Sequence, residues 1–150
     1  MKIGNKAMNA RAETVAEKRM LLGALKTRRC LVPAKGAAQN KQPYFIHGPD
    51  NTLLLFAGLR KHGWPVKNAE PVHTFPIVTG LPALVSGDIR DGAPVIVSPT
   101  LWTAWLSAEP ARALERLAAV PEPGLRYYPI SKAGGSPRNS APDLVQPIAA

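Results

Sequence analysis

The sequence predicts a single domain of the α+β class. Several short runs are rich in β-branched and aromatic residues and are bounded by Gly, Pro, Asn and Asp, which is typical of strands and their turns. Only a few segments have the three- and four-residue apolar spacing of helices, and the two patterns do not alternate as in βαβ units. A chain of 150 residues suits one domain, which at this size buries about two-thirds of its unfolded surface. We therefore expect a mostly antiparallel sheet with a few helices.

Three helices are predicted. The first is an amphipathic helix that covers part of residues 12–26, where apolar residues recur at mixed spacings of three and four. The other two cover 99–106 and 110–119, because each segment begins with a proline, which the first turn of a helix tolerates.

The strands are predicted from their β-branched and aromatic content. They cover residues 43–47, 53–60, 73–79, 94–98 and 126–130.

Three connecting segments are predicted from Gly, Pro and polar residues. Residues 47–51, His-Gly-Pro-Asp-Asn, are expected to form a hairpin connection, since these residue types supply the backbone angles of a tight reversal. Residues 35–42 are expected to form a polar loop. Residues 132–150, with several glycines and prolines and few apolar side chains, are expected to form an extended tail over the surface.

The net charge of +9 is concentrated in one part of the chain. Residues 1–41 carry ten Lys and Arg against Glu13 and Glu17, while the rest of the chain is nearly balanced. Such asymmetry favours a polyanionic partner, because Lys and Arg at phosphates release condensed counterions. A solvated basic face without a ligand is the alternative.

Apolar runs are too short for a membrane span, and the N-terminus lacks the apolar stretch of a secretory signal, so we expect a cytoplasmic protein. The single cysteine, Cys30, has no partner for an internal disulfide or a CxxC pair. His47, His62 and His73 have no carboxylate or cysteine at metal-ligand spacing. We expect no metal and no cofactor.

An ordered series of short motifs carries a resemblance to a known family. Residues 9–14 spell NARAET, and they are followed by RRCLVPA at 28–34 and QPYFIH at 42–47. Further matching segments are FAGL at 56–59, TF at 74–75, PVIV at 94–97 and YPISKA at 128–133. Together they resemble the SRAP family, the SOS-response-associated peptidases that sense abasic sites in single-stranded DNA.

The resemblance runs from about Lys2 to Ile148 and implies one SRAP-like domain over residues 1–150. It implies a curved, bifurcated sheet that forms a pseudo-barrel with peripheral helices. In the family, an N-terminal cysteine forms a thiazolidine crosslink with the aldehyde of the abasic sugar. This chain has Lys2 after Met1, so the family's N-terminal portion, with its nucleophile, is expected to be missing.

The NARAET motif supplies two residues that the resemblance places at DNA. Asn9 matches the asparagine whose amide hydrogen-bonds the linked sugar, and Arg11 matches an arginine that holds a flanking phosphate. Asn9 would otherwise serve as a helix N-cap. Arg11 would otherwise be a surface residue paired with Glu13 or Glu17. The DNA-binding set expected from the resemblance and the basic charge is Asn9, Arg11, Arg19 and Arg90.

The family's acid–base positions are changed. Its catalytic glutamate corresponds to Gln39, and its histidine corresponds to Arg90. Glutamine cannot accept and return a proton near neutral pH, and arginine stays protonated. Arg90 retains the option of binding a phosphate, and a plain surface role is the alternative.

Three other side chains are expected to be structural. Cys30 is interpreted as a small buried hydrophobe, and Trp102 and Trp105 as packing residues of a helix. Trp64 is either a base platform or a loop residue that covers the core.

The expected function is therefore that of an SRAP-like protein of the DNA-damage response that binds single-stranded DNA at abasic sites. The family's covalent crosslinking and self-cleaving peptidase activities are expected to be lost in this chain. Two alternatives remain open: a non-catalytic remnant that acts as a basic interaction module, and half of an enzyme completed by a separate N-terminal segment. The oligomeric state is open.

Overall fold

Three helices are present in the part of the chain that the computed structural model describes, residues 9–39, 42–62, 73–80, 93–119, 124–136 and 138–148. They are α1 (Arg19–Thr27), α2 (Trp102–Ser107) and α3 (Pro110–Ala119). A 3-10 turn over Pro99–Leu101 leads into α2. The two proline-initiated helices predicted from the sequence are thereby confirmed.

Ten strands lie in the same described ranges. They are β1 (Asn9–Arg11), β2 (Arg29–Ala34), β3 (Gly36–Gln39), β4 (Tyr44–His47), β5 (Leu54–Leu59), β6 (Lys61–His62), β7 (His73–Thr74), β8 (Ile77–Gly80), β9 (Ala93–Pro94) and β10 (Arg126–Pro129).

These strands form three sheets. The largest has the order β1-β8-β5-β2, with β9 paired to β8. The second has the order β10-β4-β3, and β6 pairs with β7 alone. All the described strand pairs are antiparallel except β1 with β8, which is parallel. The α+β class and the mostly antiparallel arrangement are confirmed, and the described strands do not close into a barrel.

The core lies where α1 and α2 pack against β2 and β5 of the large sheet. Its largest fully buried side chain is Trp105 of α2, whose indole N–H donates to the carbonyl of Cys30 at 2.9 Å. Leu25 of α1 and Leu59 of β5 are also fully buried. Burying an aromatic ring is most favourable when its polar atom finds a partner, so this hydrogen bond fixes α2 on β2.

The expected hairpin at residues 47–51 is wrong. The chain does turn there, with Asp50 at φ 52° in the left-handed region, which Asp tolerates better than most residues. However, β4 pairs with β3 and β10, whereas β5 pairs with β2 and β8. The segment therefore leads the chain from the second sheet to the large sheet.

One other local prediction is wrong. Residues 36–39, expected to lie in a polar loop, form β3, because four consecutive residues pair with β4 and tertiary pairing overrides the weak strand propensity of Ala and Gly. The first helix, predicted to cover part of residues 12–26, is confirmed as α1, and residues 12–17 before it form turns. The amide of Ala12 donates to the carbonyl of Thr79 at 2.7 Å, which fixes this segment to β8 in a non-helical conformation.

Residues 73–79, expected to form one strand, are divided between β7 and β8 in different sheets. The predicted last strand is confirmed as β10. After it, two 3-10 turns cover Lys132–Gly135 and Pro142–Val145. The amide of Ile148 then donates to the carbonyl of Pro129 at 3.0 Å, so the chain returns to the end of β10.

Candidate nucleic-acid interface

The centre of the candidate site is β1, which carries Asn9 and Arg11. Its three residues pair in register with β8, and Ala10 between them is fully buried. Successive residues of a strand point to opposite sides, so Asn9 and Arg11 lie together on the solvent side, where both are exposed. A burial requirement at Ala10 thus determines that the amide and the guanidinium face outwards side by side.

This geometry excludes the alternative roles of the two residues. Asn9 does not cap α1, because that helix begins ten residues later, after Lys18 at its N-cap. Within the residues described, Arg11 has no ion pair with Glu13 or Glu17. Its guanidinium is available to an external anion.

The other expected site residues are placed less completely. Arg19 is exposed at the first position of α1. Gln39 is the last residue of β3, in a different sheet from β1, and its backbone is opposite Tyr44. Arg90 lies outside the described residues. The structure thus brings Asn9 and Arg11 together on one face of β1.

Sequence reasoning missed that Arg29 has an internal role. Its guanidinium donates to the carbonyls of Leu25 at the end of α1 and of Trp105 and Ala108 at the end of α2. It also lies 5.7 Å from the centre of the Trp105 ring. Carbonyls in the last turn of a helix lack intrahelical partners, and a cation there is favourable. Arg29 therefore joins the ends of two helices to β2.

The electrostatics of Arg29 agree with an internal role. Burial lowers the pKa of its guanidinium, and the nearby carboxylate of Glu109 partly opposes this. The signal in the sequence is that Arg29 directly precedes the apolar residues of β2, where a charged side chain needs partners.

The neighbouring Arg28 is half-buried, and its Nε donates to the carbonyl of Arg60 at 3.2 Å. The exposed charges of the described N-terminal region, residues 9–39, are the cations of Arg11, Lys18, Arg19, Lys26 and Lys35 and the carboxylates of Glu13 and Glu17. The exposed charge of this region is therefore positive, with five cations against two carboxylates.

Cys30 is half-buried in β2, and burial raises the pKa of its thiol, while Arg60 acts in the opposite direction. A thiol with a raised pKa is largely protonated at neutral pH and is a poor nucleophile. Its interpretation as a packing residue agrees with this environment.

Two of the three tryptophans lie in α2. Trp105 packs in the core, and Trp102 is 38% exposed, with its indole N–H donating to the carbonyl of Val97. Trp64 lies outside the described residues. Among the described residues no group of His, Cys, Asp and Glu could hold a metal ion, and no helix has the length and apolar character needed to cross a membrane.

The protein is thus a mixed α+β domain whose short parallel strand, β1, exposes Asn9 and Arg11. The family model for SOS response associated peptidase (SRAP) matches residues 1–137, and the chain belongs to this family.

Relatives in bacteria and animals carry related names. The chain is 31% identical over 155 residues to abasic site processing protein YoqW of Bacillus subtilis, covering 97% of this chain and 69% of the relative. It is 28% identical to abasic site processing protein YedK of Escherichia coli, covering 94% of this chain and 67% of the relative. It is 26% identical to abasic site processing protein HMCES of Gallus gallus, with 95% of this chain and 51% of the relative covered.

A solved structure supports the same fold. A Bacteroides thetaiotaomicron protein of known crystal structure superposes with a TM-score of 0.80 at 26% identity, over 97% of this chain and 67% of that chain. A second, from Bordetella bronchiseptica, superposes with a TM-score of 0.69 at 20% identity, over 82% of this chain and 64% of that chain, and shows likeness of fold alone.

Proposed function

We propose that this chain acts in the response to DNA damage by binding single-stranded DNA at abasic sites. The observation that carries the proposal is the exposed pair Asn9 and Arg11, held on one side of β1 by the burial of Ala10. The relatives named as abasic site processing proteins support DNA as the partner.

The physical basis of binding is a phosphate contact supplemented by an amide. A guanidinium donates two parallel hydrogen bonds to phosphate oxygens, which fixes the strand without reading its sequence. Asn9, two residues away on the same side, offers an amide donor and an acceptor to an adjacent sugar. The exposed cations between Lys18 and Lys35 add affinity that does not depend on sequence.

We further propose that the covalent chemistry of the family is lost in this chain. Gln39 and Arg90 stand at the positions that resemble the family's acid–base residues, and neither side chain exchanges a proton near neutral pH. The one cysteine of the sequence, Cys30, is half-buried in β2 and has a raised thiol pKa. Binding without crosslinking is the expected outcome.

The substitution Arg11→Ala tests the proposal. We expect weaker binding to a fluorescently labelled single strand that contains an abasic site, by a similar factor for different flanking sequences. The slope of log affinity against log salt should fall by about 0.7, because one phosphate contact in a single strand is lost. Fluorescence anisotropy over a range of salt concentrations measures both quantities.

Arg112→Ala is the matched control, since Arg112 is an exposed arginine of α3. It should leave affinity and slope unchanged, and circular dichroism should show intact folds for both variants. If Arg11→Ala and Arg112→Ala bind as the wild type does, Arg11 has no role at DNA and the proposed interface is wrong.

A further inference from the structure

The second sheet carries aromatic side chains on both of its faces. In the register of β4 and β10, Phe45 is opposite Tyr128, and His47 lies two residues further on the same face. Tyr44 and Tyr127 occupy the alternate positions and therefore the other face.

The first of these faces is filled by the protein itself. The rings of Phe45 and His47 each lie within 6.0 Å of a neighbouring ring, and both contact Tyr128 at 5.6 Å between centroids. The Phe45 ring lies so close to Gly36 that a Cβ there would be 2.5 Å from it. The hydroxyl of Tyr128 donates to the carbonyl of Val145, so the C-terminal residues contact the edge of this side.

The opposite face is more open. Tyr127 is 44% exposed, although it lies within a strand, and its ring meets that of Tyr44 edge to face at 6.0 Å between centroids and 71° between planes. Tyr44 is also the ladder partner of Gln39, the position that resembles the family's catalytic glutamate. An exposed ring supported by a second ring thus adjoins the strand that carries Gln39.

The charge around this sheet favours an anionic partner. The described segments that form and flank it, residues 35–39, 42–47 and 124–132, contain Lys35, Arg126 and Lys132 and no Asp or Glu. All three cations are exposed. An apolar peptide would leave these cations without a partner, whereas the phosphates of a nucleic-acid backbone would pair with them.

We propose that the surface formed by Tyr44 and Tyr127 is a stacking platform for an unpaired base of single-stranded DNA. This inference rests on the proposed function and extends the DNA contact from β1 to the second sheet. Aromatic side chains stack on the exposed face of an unpaired base, while the bases of a duplex have their faces covered by their neighbours. Lys35 before β3 and Lys132 after β10 then bind the phosphates on either side, whereas Arg126 pairs with His47 and belongs to the other face.

The test compares three variants of Tyr127 in the full chain, by anisotropy with a labelled abasic single strand and with the same strand made duplex. Tyr127→Leu keeps apolar volume but removes the ring, and Tyr127→Phe keeps the ring. We expect Tyr127→Leu and Tyr127→Ala to bind the single strand about tenfold more weakly, with an unchanged salt slope, and Tyr127→Phe to bind as the wild type does. Leu53→Ala, which changes a side chain that is 52% exposed before β5, should have no effect.

Three outcomes would overturn the inference, and the second of them would also overturn the proposed function. If the wild type binds and Tyr127→Leu binds equally well, the platform is wrong and the proposed function stands. If the wild type binds no single strand even at low salt, the proposed function fails as well. If sedimentation shows that Tyr127→Leu converts a dimer to a monomer with unchanged DNA affinity, this face joins two copies of the chain instead.

Discussion

Individual arginines of this chain have different roles that their spacing in the sequence does not reveal. The NARAET motif is the basis of the proposal for Asn9 and Arg11, and the structure adds that both side chains are exposed on one side of β1. No motif indicates the hydrogen bonds of Arg28 and Arg29, because the carbonyls that they bind belong to residues up to 79 positions away. Net charge counted along a sequence therefore overestimates the charge that is free to bind DNA.

The internal role of Arg29 predicts a large effect on stability. Arg29→Met keeps the length of the side chain but leaves the carbonyls of Leu25, Trp105 and Ala108 without this donor. We expect the free energy of unfolding to fall by about 2–3 kcal/mol, because the lost hydrogen bonds involve a charged donor. Urea denaturation followed by circular dichroism measures the change.

Arg28→Met is the matched control for Arg29→Met. Arg28 makes one side-chain hydrogen bond, to the carbonyl of Arg60, so a loss of about 1 kcal/mol is expected. Equal losses at the two positions would contradict the account. So would an Arg29→Met protein that is as stable as the wild type but binds DNA more weakly, since that would place Arg29 at the interface.

At the scale of elements, local patterns predicted the helices better than the strand pairing. The helices at 99–106 and 110–119 follow from proline and apolar spacing, which act within a few residues. The pairing of β4 with β10 does not follow from any local signal, because β10 is about eighty residues away in the sequence. Turn residues at 47–51 show that the chain changes direction, and they carry no information on which strand it joins.

Substitutions at two glycines test the packing of the fold. Gly58→Ala tests how β2 and β5 pack, and Gly23→Ala tests how α1 is stabilised. A Cβ on Gly58 of β5 would lie 2.8 Å from Val32 Cγ2 and 2.9 Å from Cys30 Sγ, so Gly58→Ala should destabilise the protein by about 1–3 kcal/mol. Gly23 lies exposed in α1, where an added Cβ would meet only the end of the Arg28 side chain at 3.5 Å. Gly23→Ala should stabilise the protein by about 0.5–1 kcal/mol, because alanine loses less backbone entropy in a helix. Thermal and urea unfolding check both values.

Gly124→Ala serves as the reference for these substitutions, because no atom lies within 4 Å of the Cβ it would add. Its stability should stay close to that of the wild type. The packing account would be wrong if Gly58→Ala were as stable as Gly124→Ala.

At the scale of the whole molecule, the family of the chain and the side chains at its expected reactive positions lead to different conclusions about its activity. The family model over residues 1–137 and the fold agree. The proposed loss of covalent chemistry rests on Gln39 and Arg90, which stand where the sequence resembles the family's acid–base residues and which cannot transfer protons near neutral pH. This part of the proposal comes from the sequence, because it depends on side-chain chemistry alone. The structure added that Cys30 is half-buried in β2, which no spacing could establish.

The central claim, that the chain binds abasic single-stranded DNA and does not crosslink to it, is tested by one incubation analysed on two gels. The protein is mixed at low salt with a labelled single strand that contains an abasic aldehyde, and the sample is divided between native and denaturing electrophoresis. We predict a shifted complex on the native gel and free DNA alone on the denaturing gel. An adduct that appears only after borohydride treatment would be a Schiff base on an amine, which is consistent with binding without the family's thiol chemistry. A shifted band that survives denaturation without borohydride would contradict the account.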